Sequence, residues 1–518
     1  MIIDALLSSS HKRGEARIGT MVLLEARVHQ ILKDWLGPGS LPTWPHHLTM
    51  GRLVSRSLRL RRSALIQTGS LPARYSASYL LPCLLSGEAV QVVATAPRQK
   101  WLLDKEIPQL LTWLGAKGLA LDGSVRVEVL NPEQWFTNRL ATKGAIVADP
   151  CLTLIEQVEC LEKWLQDFLT LTWTPDHWQE LMTVWPGRGE IIRQHRIQLT
   201  KSLFSRPPNP YDCYLLNEDE QDWVQTLLRN WEKELTTLPA LQKFWHFWQV
   251  YRDNHLLWAT VNRNLGHFTL HLGPVNLAPL LAPCWRSPLI LMGGILDVDK
   301  AAVIFRRTLG LGEMLCLKFM PQRVWESLQI YLPDRLPTPN TREFQTVLLE
   351  QLHQLLSLEK PPNFSTVILL DDVPLKTSLG SRLAAEFGSR VKVENLALPK
   401  EGILICSWDF WRNYQHLYPE PGLLIFATLP IPSLENPLVN SRVNYHKRHH
   451  QDWFRSYLLP TALQAIQVAI LPLCEGSRTV AILDGRVNSR SYGSQILAVL
   501  EPYAKRNYLS PNWFLEVA

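Results

Sequence analysis

Apolar positions along the chain fall into two registers. Between about residues 45 and 150, short strand-like apolar runs at 64–66, 90–94, 125–130 and 145–147 are separated by stretches of helical spacing. Strands buried on both faces read as continuous apolar runs, and parallel neighbours need a crossover helix, so this alternation predicts a parallel sheet flanked by helices. From about 160 to 262 the pattern turns helical and Trp-rich, with a proline-rich break at Arg206-Pro-Pro-Asn-Pro210. Phe244, Phe247, Trp248 and Tyr251 stand at i, i+3, i+4 and i+7 there, the spacing of one buried helix face. Strand-like runs resume at 288–291 and continue at 366–370, 391–393, 403–405, 423–426 and 480–483. The pattern predicts an α/β protein with two parallel-sheet domains, residues 44–310 and 311–518, the first interrupted by a helical insertion at about 160–262. Ahead of them, residues 1–43 read as a tail and one helix, with Leu24, Val28, Ile31, Leu32 and Trp35 at helical spacing before Gly37-Pro38. Residues 1–20 show no periodicity, and the second methionine, Met21, leaves open where translation starts.

Composition narrows this picture. With 46% hydrophobic and 19% charged residues the chain can bury a sizeable core, which excludes a disordered protein. A net charge of +6 is mildly basic and compatible with nucleic acid. The eight cysteines are scattered singly, with no C-x-x-C pair. That spacing argues against a disulfide framework or a tetrahedral metal site and fits a reducing compartment. No apolar run approaches the roughly 18 residues of a membrane span, and the N-terminus lacks a signal-peptide pattern. The expected location is cytoplasmic, with no membrane partner. A Ser-His-Asp hydrolase is excluded by the absence of G-x-S-x-G.

The most informative stretch is Gln67-Thr-Gly-Ser-Leu-Pro-Ala-Arg-Tyr-Ser76, which follows the apolar run at 63–66 and precedes Tyr79-Leu-Leu-Pro82. A working phosphate loop reads G-x-x-x-x-G-K-[ST]: backbone N–H groups cradle phosphates, Lys reaches the terminal ones and Ser/Thr binds Mg²⁺. Gly69, Ser70 and Ser76 fit that use. Arg74, however, stands for the second Gly and Tyr75 for the Lys, and Pro72 removes a backbone donor inside the loop.

In the second half, Phe410-Trp411, the stretch Ala427-Thr-Leu-Pro-Ile-Pro-Ser-Leu-Glu-Asn-Pro-Leu438 with Arg442, and Val480-Ala-Ile-Leu-Asp484…Arg486…Arg490-Ser-Tyr-Gly493 occur in order. With Tyr79-Leu-Leu-Pro82 and Gly273-Pro-Val-Asn-Leu-Ala-Pro-Leu280 in the first half, the chain resembles a superfamily-two ATP-dependent DNA helicase of the DinG/XPD type over roughly residues 44–505. The resemblance implies two RecA-like P-loop lobes, an ATP–Mg²⁺ site and single-stranded DNA as partner. It maps the family's adenine-reading element onto Trp44 to Met50, with His47 at the Gln, whose paired donor and acceptor an imidazole cannot reproduce. The acidic motif falls on Glu156-Gln-Val-Glu159: Glu156, with Ser76, remains able to hold Mg²⁺, but Gln157 replaces the carboxylate that polarises water.

The other motifs depart in the same sense. The S-A-T element reads Met292-Gly-Gly294, and S-F-W-E-G-V-D loses its Glu, Gly and Asp to Arg412, Asn413 and Gln415. The final Q-x-x-G-R-x-x-R begins at Gln467 and puts Leu471 and Cys474 where both arginines belong; removing such an arginine costs about 10³–10⁵ in rate. XPD-type members also carry four Cys for an iron–sulfur cluster between the first two motifs, whereas only Cys83 and Cys151 lie there, so no cluster is expected. Architecture kept and chemistry removed suggest an ATPase-impaired, DNA-binding pseudo-helicase in repair or replication, with any ATP–Mg²⁺ binding weak or lost. Two alternatives stand beside it: an active helicase with Arg74 as phosphate contact, and a scaffold that binds a protein through residues 160–262.

By resemblance, Thr95, Arg98, Arg442 and Arg490 are the nucleic-acid candidates, positions for sequence-independent phosphate contacts. Arg52, Arg56, Arg59, Arg61 and Arg62 form a basic group that reads either as a solvated helix face or as a contact for nucleic acid or an acidic partner. His446-Lys-Arg-His-His450 is the densest basic cluster; on one helix its outer histidines would share a face, yet a solvated loop or phosphate contact outweighs a metal site.

Overall fold

The structure, a computed structural model, describes residues 23–37, 44–119, 126–140, 151–230, 232, 234–251, 254–297, 299–319, 328–473, 478–510 and 513–516. The expected strand at 145–147, the N-terminal tail and Cys474 lie outside the described residues.

The first lobe is built on β1 (Ala64–Gln67), β2 (Ala89–Val93), β3 (Arg126–Leu130) and β4 (Leu152–Ile155). The chain then leaves the sheet for β5 (Leu171–Trp173), β6 (Cys213–Leu215), β7 (His255–Asn262) and β8 (His267–Pro274), and returns for β9 (Leu289–Gly293) and β10 (Leu315–Lys318). The six strands of the lobe run parallel in the order β10-β1-β9-β4-β2-β3. Every residue of β4 and β9 is buried, which is why each reads as a continuous apolar run. The first sheet extends past residue 310, because β10 pairs with β1 from Ala64↔Leu315 to Gln67↔Lys318. Ahead of the sheet, the helix Leu24–Leu36 buries Val28, Ile31 and Leu32, as its spacing predicts.

The second lobe holds β11 (Leu328–Tyr331), β12 (Thr366–Leu369), β13 (Val391–Val393), β14 (Ile403–Cys406), β15 (Leu423–Phe426), β16 (Arg478–Ile482) and β17 (Ala504–Arg506). They form a parallel seven-stranded sheet in the order β13-β14-β12-β15-β16-β11-β17. Two parallel sheets with crossover helices are the predicted α/β architecture. Among the described residues no helix is long and apolar enough to cross a membrane.

The insertion differs from the sequence expectation. It carries a four-stranded antiparallel sheet, β5-β8-β7-β6, beneath its helices. In β7 only alternate residues, Leu257, Ala259 and Val261, are buried. A half-buried strand of this kind has a period-two pattern that is easily masked inside a Trp-rich, mostly helical segment. The predicted helix face does form on Pro239–Val250, where Phe244 and Trp248 are buried and Phe247 packs against the same core. Trp173 and Trp178 stack at 4.4 Å in that core, and Phe244 meets Trp173 edge-on at 5.9 Å. Truncating Trp173, fully buried in a core separate from those of the lobes, is expected to cost the insertion about 3–5 kcal/mol. Denaturant unfolding of Trp173→Ala followed by tryptophan fluorescence checks this; a midpoint equal to wild type would contradict the packing.

Candidate nucleotide cleft

At the end of β1, the loop that should open around phosphates closes onto β9. The amides of Thr68 and Gly69 donate to the carbonyls of Gly293 and Gly294 at 2.7 Å each, and the Thr68 hydroxyl donates to the Gly293 carbonyl at 2.9 Å. Gly69 sits at φ 62°, the left-handed region that favours glycine. Ser70 is buried, with its amide on the Thr68 hydroxyl at 3.3 Å, and Ser76 is buried at the junction of two short helices. The side chain of Gln67, which the sequence reading did not single out, ties the loop after β9 to this one. It accepts from the amide of Leu296 and donates to the carbonyl of Asp299.

Aromatic side chains fill the positions assigned to adenine and to the lysine. Tyr75 is fully buried and lies 5.6 Å from Trp44, whose indole also meets Phe319 at 5.2 Å and donates to the Thr68 carbonyl. Burial, then the carboxylates of Glu156 and Glu159, push the Tyr75 phenol well above its ordinary value, so this position carries no charge to offer a phosphate. His47 is buried against the Ser78 hydroxyl at 2.7 Å, and burial drops its pKa to about 4, which keeps the ring neutral.

Beneath that cluster lies a closed ionic network. Glu156, fully buried at the end of β4, accepts from the Tyr79 hydroxyl and from Arg98 Nε at 3.2 Å. Arg98 also makes a bidentate pair with Glu106, at 2.6 and 2.9 Å, and Trp101 Nε1 donates to the same Glu106 oxygen. Burial raises the Glu156 pKa, against the pull of Arg98 and Tyr79. Burial works against the Arg98 charge, yet Glu156, Tyr79 and Glu106 together hold it charged well above its ordinary value. The carboxylate assigned to Mg²⁺ therefore already has a cation of its own. Gln157, in a left-handed conformation at φ 51°, faces the Thr95 hydroxyl at 3.3 Å.

The two lobes meet directly across the cleft. Arg74 pairs with Glu420 of the second lobe at 3.3 Å, and Arg478 holds the other oxygen of Glu420 at 3.4 Å. Gln464 donates to the carbonyl of Glu159 at 3.0 Å, while a Glu159 carboxylate oxygen accepts from the Gly294 amide at 3.2 Å. Leu471, at one of the missing arginines, is buried over Gly294: a Cβ there would lie 2.8 Å from its Cδ1. A Cβ at Gly293 would meet a Glu159 carboxylate oxygen at 2.6 Å. The Gly-Gly variant of the coupling motif is thus matched to what fills the cleft on either side.

The nucleic-acid candidates do not converge. The Arg98 guanidinium points inward, Thr95 precedes the helix Ala96–Trp101 with its hydroxyl on Gln157 rather than on the helix, and Arg490 is exposed after the short helix Arg486–Ser489. Arg442 spans the lobes, 3.6 Å from Glu162, with its guanidinium 5.7 Å over Tyr457. Arg52, Arg56, Arg59, Arg61 and Arg62 line the exposed side of the helix His47–Leu60 and its end, with Arg59 paired to Glu25 at 2.7 Å. The helix carrying His446 ends at Arg448, and His450 follows in a left-handed turn, so the shared helical face does not form. Cys83 is buried and Cys151 half-buried; neither is in a disulfide.

Among solved structures, the chain is similar to that of S. tokodaii Xpd4, at 13% identity and a TM-score of 0.56 over 89% of this chain and 100% of that one. It is likewise similar to an XPD helicase, at 12% identity and a TM-score of 0.57, covering 92% of this chain and 100% of the other. An apo XPD structure matches at 12% identity and a TM-score of 0.57 over 88% and 99%. No protein-family model and no curated protein matches the chain. The molecule has an XPD-type helicase fold.

Two outcomes follow from the ionic network. Arg98→Ala leaves Glu156 buried without its cation and is expected to lower stability by about 3–5 kcal/mol, more at pH 8 than at pH 5, because acid neutralises the stranded carboxylate. Denaturant titration at both pH values measures it, and an equal, small loss at each would show the pair to be dispensable. Glu159 is raised to about 7, chiefly by burial. A raised carboxyl contributes stability below its unfolded value near 4.5 that is lost as pH climbs to about 7. Glu159→Gln keeps an acceptor for Gly294 and is expected to flatten that dependence by about 3 kcal/mol between pH 4 and 8, read as the change in unfolding midpoint with pH.

Proposed function

We propose that this XPD-type fold binds nucleic acid, single-stranded DNA foremost, without hydrolysing ATP, and serves as a pseudo-helicase in DNA repair or replication. One observation carries the reading: the lysine position is a buried tyrosine packed on Trp44, above a Glu156 already neutralised by Arg98. Phosphoryl transfer needs cations at the transferring group, because catalysis there is positioning and charge stabilisation. In this cleft Leu471 replaces an arginine, Tyr75 replaces the lysine, and Arg74 is engaged with Glu420. The residues that would hold Mg²⁺, Ser76 and Glu156, are both buried, and both Glu156 carboxylate oxygens already accept from Arg98 or Tyr79. Where ATP–Mg²⁺ does bind, those two residues would hold the metal, which would neutralise phosphate charge.

A second reading has its own support. Val184, Ile191 and Ile197 are exposed apolar residues on the helices of the insertion, and the insertion has a core of its own. That arrangement suits a protein-binding module at residues 160–262.

The decisive measurement is ATP binding and hydrolysis by the purified chain, with and without single-stranded DNA, beside the Arg74→Gly, Tyr75→Lys double variant. The expected result is no turnover in the wild type, salt-sensitive DNA binding independent of ATP, and no recovery of turnover in the double variant, since Gln157 and Leu471 remain. DNA-stimulated hydrolysis by the wild type would overturn the reading.

A further inference from the structure

Where the root of the insertion meets both lobes, a cavity of about 540 Å³ opens beside the cleft. Three parts of the fold wall it: the segment after β8 at Asn276 and Leu277, the helix Val303–Leu309 of the first lobe, and the helices Pro437–Arg448 and Leu459–Ala469 of the second. Its floor is apolar, from Leu277, Leu296, Phe305 and Leu463. Three arginines, Arg307, Arg442 and Arg455, stand around it, against the carboxylates of Glu162 and Asp297. Asp297 is occupied by the amides of Ile304 and Asp299, at 3.1 and 3.2 Å.

The arginines are poised rather than locked. Arg307 is exposed, and its guanidinium has no hydrogen-bond or ion-pair partner among the described residues. The Arg455 side chain is 76% exposed and, among the described residues, pairs with Asp452 at 3.8 Å. Arg442 reaches Glu162 at 3.6 Å, beyond hydrogen-bond distance. Aromatic surface lies beside them: Tyr457 is stacked with His446 at 5.9 Å under the Arg442 guanidinium, and Tyr445 is held in place by Asn276 at 3.0 Å. The volume falls in the roughly 300–1,000 Å³ range of small-ligand sites. A flat apolar group and an anion joined to it fit this combination, because a base stacks on aromatic and apolar surface and a phosphate pairs with a guanidinium fork.

We propose that this junction cavity takes one nucleotide unit, its phosphate on Arg307, Arg442 and Arg455 and its base against Tyr457 and the apolar floor. The unit comes either from a single strand, in which case the site rests on the nucleic-acid-binding function proposed above, or from a free nucleoside monophosphate. In both cases it lies outside the cleft filled by Tyr75, with Gln464 reaching from the cavity wall to Glu159 between them.

The test is binding of fluorescein-labelled oligo(dT) by anisotropy and of AMP by calorimetry, with the full chain. The variants are the Arg307→Glu, Arg455→Glu pair and, as a matched charge change, Arg188→Glu with Arg193→Glu on the exposed surface of the insertion. Circular dichroism melting checks that each folds. Oligo(dT) binding weakened tenfold or more by the first pair, within twofold of wild type for the second, and competed by AMP assigns the cavity to a unit of the strand. AMP binding lost in the first pair, with no oligo(dT) binding by the wild type, keeps the cavity and rejects the nucleic-acid function. Oligo(dT) binding equal in all three proteins, or weakened equally by both pairs, overturns the cavity while leaving nucleic-acid binding in place. No binding of either probe by the wild type overturns both.

Discussion

A carboxylate at the end of β4, buried to zero exposure, has to be neutralised from within the protein, and Arg98 does it. Removing water from an ionised carboxylate is tolerable only when another charge and further hydrogen bonds replace the solvent. Glu156 obtains both, from Arg98 and Tyr79, and Glu106 holds Arg98 in turn. This network joins β4, the helix after β1 and the helix after β2. The helix Ala77–Leu85 is tied to the network through Tyr79.

Above the network, the cleft is closed by contacts between side chains instead of by a bound ligand. Tyr75, Trp44 and Phe319 pack as one aromatic cluster, with ring centroids 5.2–5.6 Å apart along the Trp44 contacts. Leu471 lies on Gly294, and Arg74 bridges to Glu420. Apolar burial and an ion pair join the lobes here. The residues that depart from the helicase motifs, Tyr75 and Leu471 among them, are the ones that supply this packing.

Closing the cleft leaves the opposite corner of the lobe junction open. The insertion returns to the first sheet through Asn276, which bonds to Tyr445 of the second lobe, so insertion, first lobe and second lobe share one seam. The basic cavity lies along that seam.

The sheet strands of both lobes were legible in the sequence because strands buried on both faces cannot hide: 64–66, 90–94, 366–370, 403–405 and 423–426 all lie within a residue or so of β1, β2, β12, β14 and β15. The departures from the helicase motifs, such as Tyr75 and Leu471, are also read from the sequence, since they are a matter of residue type at motif positions. The antiparallel sheet of the insertion was not, because half-buried strands such as β7 alternate in a segment dominated by tryptophans. Nor could sequence spacing show that Arg98 turns inward to Glu156 when its motif position suggests a phosphate contact. A run of residues determines local periodicity and which functional groups are available. Which of them pair depends on contacts across 58 positions for Arg98 and Glu156, or 346 for Arg74 and Glu420, and only the packing of two lobes, with its demand that every buried charge find a partner, decides that.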